Sequence, residues 1–274
     1  MRPLISIFAS GIRTHRWDDL YNSLTKSSVP FELIIVGDKV PEFSLPKNFH
    51  YIYSKVKPAQ CSEIAARYTT GELIMNIADD VLFSDNALNE MCNLYEKNAS
   101  EDLIVSNRLT RGKTIYGDEM YRFLATVPDS PLIPLMSLMS KKFWNSLGGI
   151  DRRFTALYWN LDISMRALEV GGKILFADNA LTEEVFEKYS IIDRIKNRIK
   201  IKKIKTTGLY MEYGISIDRP LLDSFWVSTE QEDKKDIYAV NDENVSVLRR
   251  RKKPFLPFED DFLLTISQGP SGRW

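Results

Sequence analysis

The segment GELIMNIADDVLF at residues 71–83 decides the fold. Residues 73–78 are apolar except for Asn76, and the run stops directly on Asp79 and Asp80. An apolar stretch of this length, opened by a glycine and closed by acidic residues, reads as a strand buried on both faces. In open parallel sheets, ligands gather at the carboxyl ends of strands, so the acidic pair falls where a binding site belongs. A hard divalent cation takes oxygen ligands, and one or two carboxylates together with phosphate oxygens complete a workable shell. The plainer reading of the same pair is a solvated turn after a strand.

Outward from this segment, β-type and helical runs alternate. Residues 4–9 and 31–36 (FELIIV) predict strands, and residues 51–56 a third. A helix is expected over 15–26, where Trp17, Leu20, Tyr21 and Leu24 recur at helical spacing, and another over 59–68, ending before Gly71. Asp85 is expected to cap a helix reaching Lys97, with Ala87, Leu88 and Met91 turned inward. Beyond an apolar stretch at 132–139, a helix over 141–147 stops at Gly148 and Gly149, a further helix over 162–170 stops at Gly171 and Gly172, and 173–177 is a strand. This rhythm implies an α/β fold with a mainly parallel central sheet flanked by helices. The character changes near residue 179, which divides the chain into a main domain, 1–180, and a C-terminal extension, 181–274, packed on it.

Bulk properties exclude several classes. Lysine and arginine balance aspartate and glutamate at 37 each over 274 residues, so no global field draws the chain to nucleic acid or anionic lipid. No window approaches the run of about eighteen apolar residues that a spanning helix needs, and the first residues carry no secretory signal. Two cysteines and two histidines make neither a disulfide framework nor a histidine-rich metal site. The expected setting is a reducing one, the cytoplasm. The basic, isoleucine-rich stretch at 191–205 is either a solvated face or an amphipathic surface resting on the membrane periphery. RRRKK at 249–253 lacks the interleaved aromatics of a nucleic-acid surface.

Five segments, in order, resemble family-two glycosyltransferases of the GT-A fold. ISIFASG at 5–11 is similar to their opening strand and turn, FELIIVGD at 31–38 to the second strand, and GELIMNIADDVLF to the segment carrying the DxD motif. LGGIDRRF at 147–154 and WNLDISMRALEVGGKI at 159–174 resemble the later glycine-rich element and the acidic motif with its helix. The resemblance spans roughly residues 4–177. It implies transfer of a glycosyl unit from a nucleoside-diphosphate sugar to a glycan or lipid-linked glycan, assisted by Mn²⁺ or Mg²⁺. Asp80 matches the last acidic position of the DxD motif and is implied as the metal ligand, while Ala78 stands where the first acidic residue usually lies, leaving that contact absent or supplied by Asp79. Asp38 matches the second acidic position near the nucleoside, with Gly37 in the first. Ser10 and Arg13 lie in the turn that touches the nucleotide, Arg13 reading equally as a phosphate partner or a structural ion pair. Arg67 lies near the family's usual arginine, out of register.

The acidic motif departs most from the family. Trp159 and Asn160 occupy the places of its usual Glu-Asp, and an amide cannot accept a hydroxyl proton. Asp162 then serves as base, or the reaction retains configuration without one, or the protein is catalytically weak; Asp162 also reads as a plain helix N-cap. Asp151 is a candidate for an acceptor hydroxyl, or tightens the turn after the glycines. Trp144, Tyr158 and Trp159 cluster here, with Trp159 the better candidate for stacking on a sugar and Trp144 for the core. The C-terminal extension is expected on the acceptor side. Two rivals stand beside the transferase. A nucleotidyltransferase would carry a glycine-rich loop after the first strand, for which ASGIRTHR at 9–16 is too sparse. A GT-A-fold binding or scaffold module that has lost its base is the other.

Overall fold

Apolar runs with alternating side chains build this molecule around one sheet buried on both faces. The structure, a computed structural model, describes residues 4–98, 102–111, 114–116, 132–185, 218, 221–222, 224–228, 249–251 and 253–259. Its strands are β1 (Ile5–Ser10), β2 (Phe31–Gly37), β3 (Phe49–Tyr53), β4 (Leu73–Asn76), β5 (Val81–Phe83), β6 (Leu103–Arg111), β7 (Thr114–Tyr116), β8 (Leu138–Ser140) and β9 (Lys173–Glu184). They join in the order β3-β2-β1-β4-β8-β6-β9-β5, with β7 paired to β6. β3, β2, β1 and β4 are parallel, as are β6 and β9; β8, β5 and β7 run antiparallel to their neighbours. The fold is α/β and mostly parallel, as the sequence predicts.

Alternation sorts each strand's side chains onto two cores. Ile5, Ile7 and Ala9 of β1 and Leu33 and Ile35 of β2 pack under α1 (Trp17–Leu24) and α3 (Ala87–Asn98). Phe8, Ile34 and Val36 face the opposite core, beneath α2 (Pro58–Tyr68), α4 (Lys141–Leu147) and α5 (Trp159–Glu169). α4 has the predicted bounds; Ser140 caps it through Phe143 N–H, and Gly148 ends it in a left-handed conformation at φ 85°.

Several elements differ from expectation. A single 3-10 turn, Thr14–Arg16, precedes α1. Asp85 caps nothing: it lies exposed beside Lys26, and α3 begins at Ala87 after Asn86 at φ 59°. α5 starts at Trp159 with Tyr158 as its N-cap at φ 64°, three residues before the start expected at Asp162, so Asp162 is inside the first turn and is no N-cap. β9 continues from residue 173 to Glu184, so a boundary at 180/181 falls within a strand of the main sheet. From the C-terminal part, Leu222, Phe225, Trp226 and Phe258 are buried in the same core as α2, α4 and α5. Residues 249–251 form β11 (Arg249–Arg251), antiparallel to β10 (Trp226–Ser228). The basic stretch 191–205 lies outside the described residues. No helix among the described residues is long and apolar enough to cross a membrane.

Candidate functional site

Where β1 and β4 end, their following loops diverge and leave an open cavity of about 320 Å³. Its walls come from Ser10 at the end of β1 and Gly11–Arg13 after it, residues 76–81 around the acidic pair, Pro58 and Ser62 of α2, residues 156–157 with Trp159 and Asn160 of α5, and Glu184 at the tip of β9. This is the position that parallel strands reserve for ligands.

Asp79 builds the first wall, and its carboxylate is taken up by the loop after β1. Its carboxylate accepts Ile12 N–H and Arg13 N–H, both at 2.8 Å, and the Arg13 guanidinium at 2.5 Å, with Trp17 Nε1 at 3.4 Å. It is 3% exposed. Gly11 is needed in this loop because a Cβ there would lie 2.7 Å from Ile35 Cγ2 and 2.9 Å from Trp17 Cζ2. Asp80 is placed differently. One oxygen lies 3.2 Å from Arg13 Nη2, and its side chain keeps 15% exposure. Burial pushes its carboxyl up to about 6; Arg13 opposes that shift, and the charges of Asp79 and Glu184 add to it.

Asp38 follows β2 outside the cavity lining, with its Oδ1 buried and without a hydrogen-bond partner. Its charge, after burial, helps raise both the Tyr51 hydroxyl and the Cys61 thiol above their ordinary values. A buried carboxylate oxygen without a donor costs stability, which a ligand N–H would recover.

Solved structures share the fold of this chain. A crystal structure of S. aureus TarS 1–349 in complex with UDP overlaps at a TM-score of 0.51 and 12% identity, covering 86% of this chain and 73% of that one. A crystal structure of GalNAc-T7 with UDP, GalNAc and Mn²⁺ overlaps at 0.50 and 14% identity, covering 68% of this chain and 44% of that one. A further structure of S. aureus TarS 1–349 overlaps at 0.47 and 13% identity, over 69% and 59% of the two chains. The fold is of the GT-A type. No family model and no curated protein matches the sequence. In two of the three overlaps the chain spans less than two thirds of the neighbour's length.

Against this GT-A frame, the expected site residues separate into two groups. Ser10, Arg13, Asp79 and Asp80 meet in the cavity. Asp38, Arg67, Asp151 and Asp162 do not line it, and the last three are engaged elsewhere. Arg67 pairs with Glu63 at 2.7 Å and donates to the Phe258 carbonyl at 2.7 Å, so it pins the C-terminal segment instead of touching a nucleotide. Asp151, fully buried, takes a two-pronged pair from Arg153 at 2.9 and 2.7 Å and accepts Leu256 N–H at 3.2 Å; it is the turn-tightening residue. Asp162, also fully buried, holds Arg166 at 2.9 Å and Trp226 Nε1 at 2.9 Å, which leaves it no access to an acceptor hydroxyl. Asn160 does reach the cavity, its amide donating to the Leu135 carbonyl at 2.8 Å. Trp144 is core, edge-on to Phe8 at 5.3 Å, while Trp159 stacks on Phe8 at 6.5 Å and shows an edge to the cavity.

Two residues that build the candidate site escape a reading of the sequence. Glu184 is one, since TEE at 182–184 offers nothing to separate its acidic pair from solvated charge. Asp218 is the other. Buried, it accepts the backbone N–H groups of Thr155, Ala156 and Leu157 at 2.9, 2.6 and 2.8 Å, fixing the cavity wall from more than sixty positions away.

Proposed function

We propose that this chain is a glycosyltransferase that binds a nucleoside-diphosphate sugar at the tips of β1 and β4 and passes the sugar to a saccharide or lipid-linked saccharide. The observation that carries the reading is the largely shielded Asp80 beside Arg13, at the ligand end of a GT-A sheet. Arg13 offers a forked donor to phosphate oxygens, and Ser10 a hydroxyl beside it. The buried Asp38 oxygen has the chemistry to receive a ring N–H from the base. Two neighbours in the fold were solved with UDP, one of them also with Mn²⁺.

A divalent cation fits the residues present only together with its ligand's phosphates. Among the described residues, no group of three or more His, Cys, Asp or Glu side chains is arranged to hold a metal. Carboxylates of the cavity plus diphosphate oxygens suit Mg²⁺ or Mn²⁺. Such an ion supplies neutralisation of the charge that develops on the departing diphosphate. The chain's own residues position and shield: Asp79 holds the Arg13 loop in place, and Trp159 and residues 156–157 wall off the side opposite.

Isothermal titration of the full chain with a panel of nucleoside diphosphates, with and without Mn²⁺, tests this reading. Cation-dependent binding of at least one is the expected result; none from any of them overturns it. A second reading, a GT-A module that binds without catalysing, is favoured by Asn160 in the base position and by the burial of Asp162. Hydrolysis of a bound sugar nucleotide by wild type, lost in Asp80→Ala, separates the enzyme from the module. The proposed place of action is the cytoplasm, with the two cysteines of the sequence as support.

A further inference from the structure

Among the described residues that line the cavity, the charged side chains are Arg13, Asp79, Asp80 and Glu184. Asp79 and Asp80 both pair with Arg13, and Glu184 adds a third carboxylate, so the described lining carries more negative than positive charge, which a cation arriving with the diphosphate would offset. Ala78 offers no oxygen, and Asp79 already accepts two backbone N–H groups and Arg13. A second carboxylate for a cation must come from elsewhere.

β9 brings one. In the β5–β9 ladder, Glu184 stands opposite Val81, and Val185 N–H donates to the Asp80 carbonyl at 2.8 Å. The pairing sets Glu184 on the strand beside Asp80, one register position away, and both residues line the same cavity. Its neighbour Glu183 is exposed and lines no part of it.

We propose that Glu184 is the second carboxylate ligand of the cation that accompanies the donor, in the place that Ala78 leaves empty of oxygen. This rests on the donor reading above and extends it: two carboxylates on neighbouring strands, completed by diphosphate oxygens, make the hard-ion shell. Cation and diphosphate should accordingly bind the full chain as a pair, each weakly alone.

Electron paramagnetic resonance of free Mn²⁺, titrated into the full chain with and without UDP, reads this directly and without turnover. Wild type is expected to take up Mn²⁺ in a UDP-dependent manner. Glu184→Gln should raise the Mn²⁺ concentration for half-saturation at least tenfold, since even outer partners of metal ligands cost about 10–100-fold. Glu183→Gln should leave it unchanged. UDP-dependent uptake with the same midpoint in Glu184→Gln overturns the ligand role while leaving the donor reading intact, as does an equal shift in Glu183→Gln, which marks a diffuse field. A wild type that takes up neither UDP nor Mn²⁺ overturns the donor reading and the ligand role together. The thermal midpoint of each variant, measured alongside, shows that the fold is kept.

Discussion

Asp80 and Asp162 are both first-turn or strand-end aspartates, yet their surroundings assign them opposite work. Asp80 is held charged against burial, with its carboxyl raised from 3.8 to about 6. The folded state thus keeps the proton more tightly than the unfolded chain, and as pH rises from about 4 through 6 the wild type loses stability relative to a neutral side chain. The shift corresponds to about 3 kcal/mol at most. Asp80→Asn should accordingly melt a few degrees higher than wild type at pH 7.5 in EDTA, by about 2–4 °C per kcal/mol. That gain should shrink towards pH 4.5, and the same variant should lose cation-dependent UDP binding. A site residue that costs stability is expected where function needs a charge held against burial. Asp162 shows the reverse. Removing it strands a buried guanidinium and an indole N–H, so Asp162→Ala should destabilise by about 3–5 kcal/mol, seen as a large drop in melting temperature. At 10 °C, on molecules still folded, UDP affinity should stay within twofold of wild type. A catalytic base would show the opposite pattern: lost turnover and an unchanged melt.

At the level of elements, what could be read from the sequence depended on how local its cause was. The runs feeding β1, β2 and β4 are nearly continuous apolar stretches, broken only by Ser6, Glu32 and Asn76 among their inner residues, whose burial on both faces needs no partner to be recognised, and Ser140 and Gly148 mark α4 at both ends. β5 and β8 are three residues each and exist only because β9, β4 and β6 pair with them. β9 continues past Ala177 through Asp178, Asn179 and Glu183, exposed positions that carry no strand signature of their own. Glu184 was hidden for that reason. The start of α5 was hidden likewise, since Tyr158 at φ 64° is an unusual cap. What holds that turn is Asp218, whose three accepted N–H groups fix residues 155–157 just ahead of it. Asp218→Ala strips a buried loop of its acceptor. It should destabilise by about 2–4 kcal/mol and speed hydrogen exchange at 155–157 well beyond the rate in α4. If those amides exchange at the wild-type rate in a folded variant, the wall is held by other contacts.

Over the whole molecule, the same dependence decides whether residues 1–185 form a unit. The cavity is assembled from the first two thirds of the chain, and the five family-like segments all fall there. The core beneath it does not. Leu222, Phe225, Trp226 and Phe258 fill space between α2, α4 and α5, and Phe225 meets Phe154 edge-on at 5.6 Å. Fully burying such side chains is worth about 1.5–3 kcal/mol each. Polar anchors add to this: the Asp162 pair with Trp226, the Arg67 bond to Phe258 and the Asp151 bond to Leu256 all cross from one part to the other. Since a domain's net stability is only about 5–15 kcal/mol, losing four large core residues together with these partners removes a comparable amount. A chain cut after residue 185 should therefore lack a cooperative thermal transition and bind an apolar dye such as ANS, despite keeping every cavity residue named above from Ser10 to Glu184. Adding residues 186–274 back as a separate polypeptide during refolding should restore the transition if the missing core is the cause. A truncated chain that melts cooperatively and binds UDP with cation would show the opposite: that the C-terminal part is an accessory laid over a self-sufficient GT-A domain.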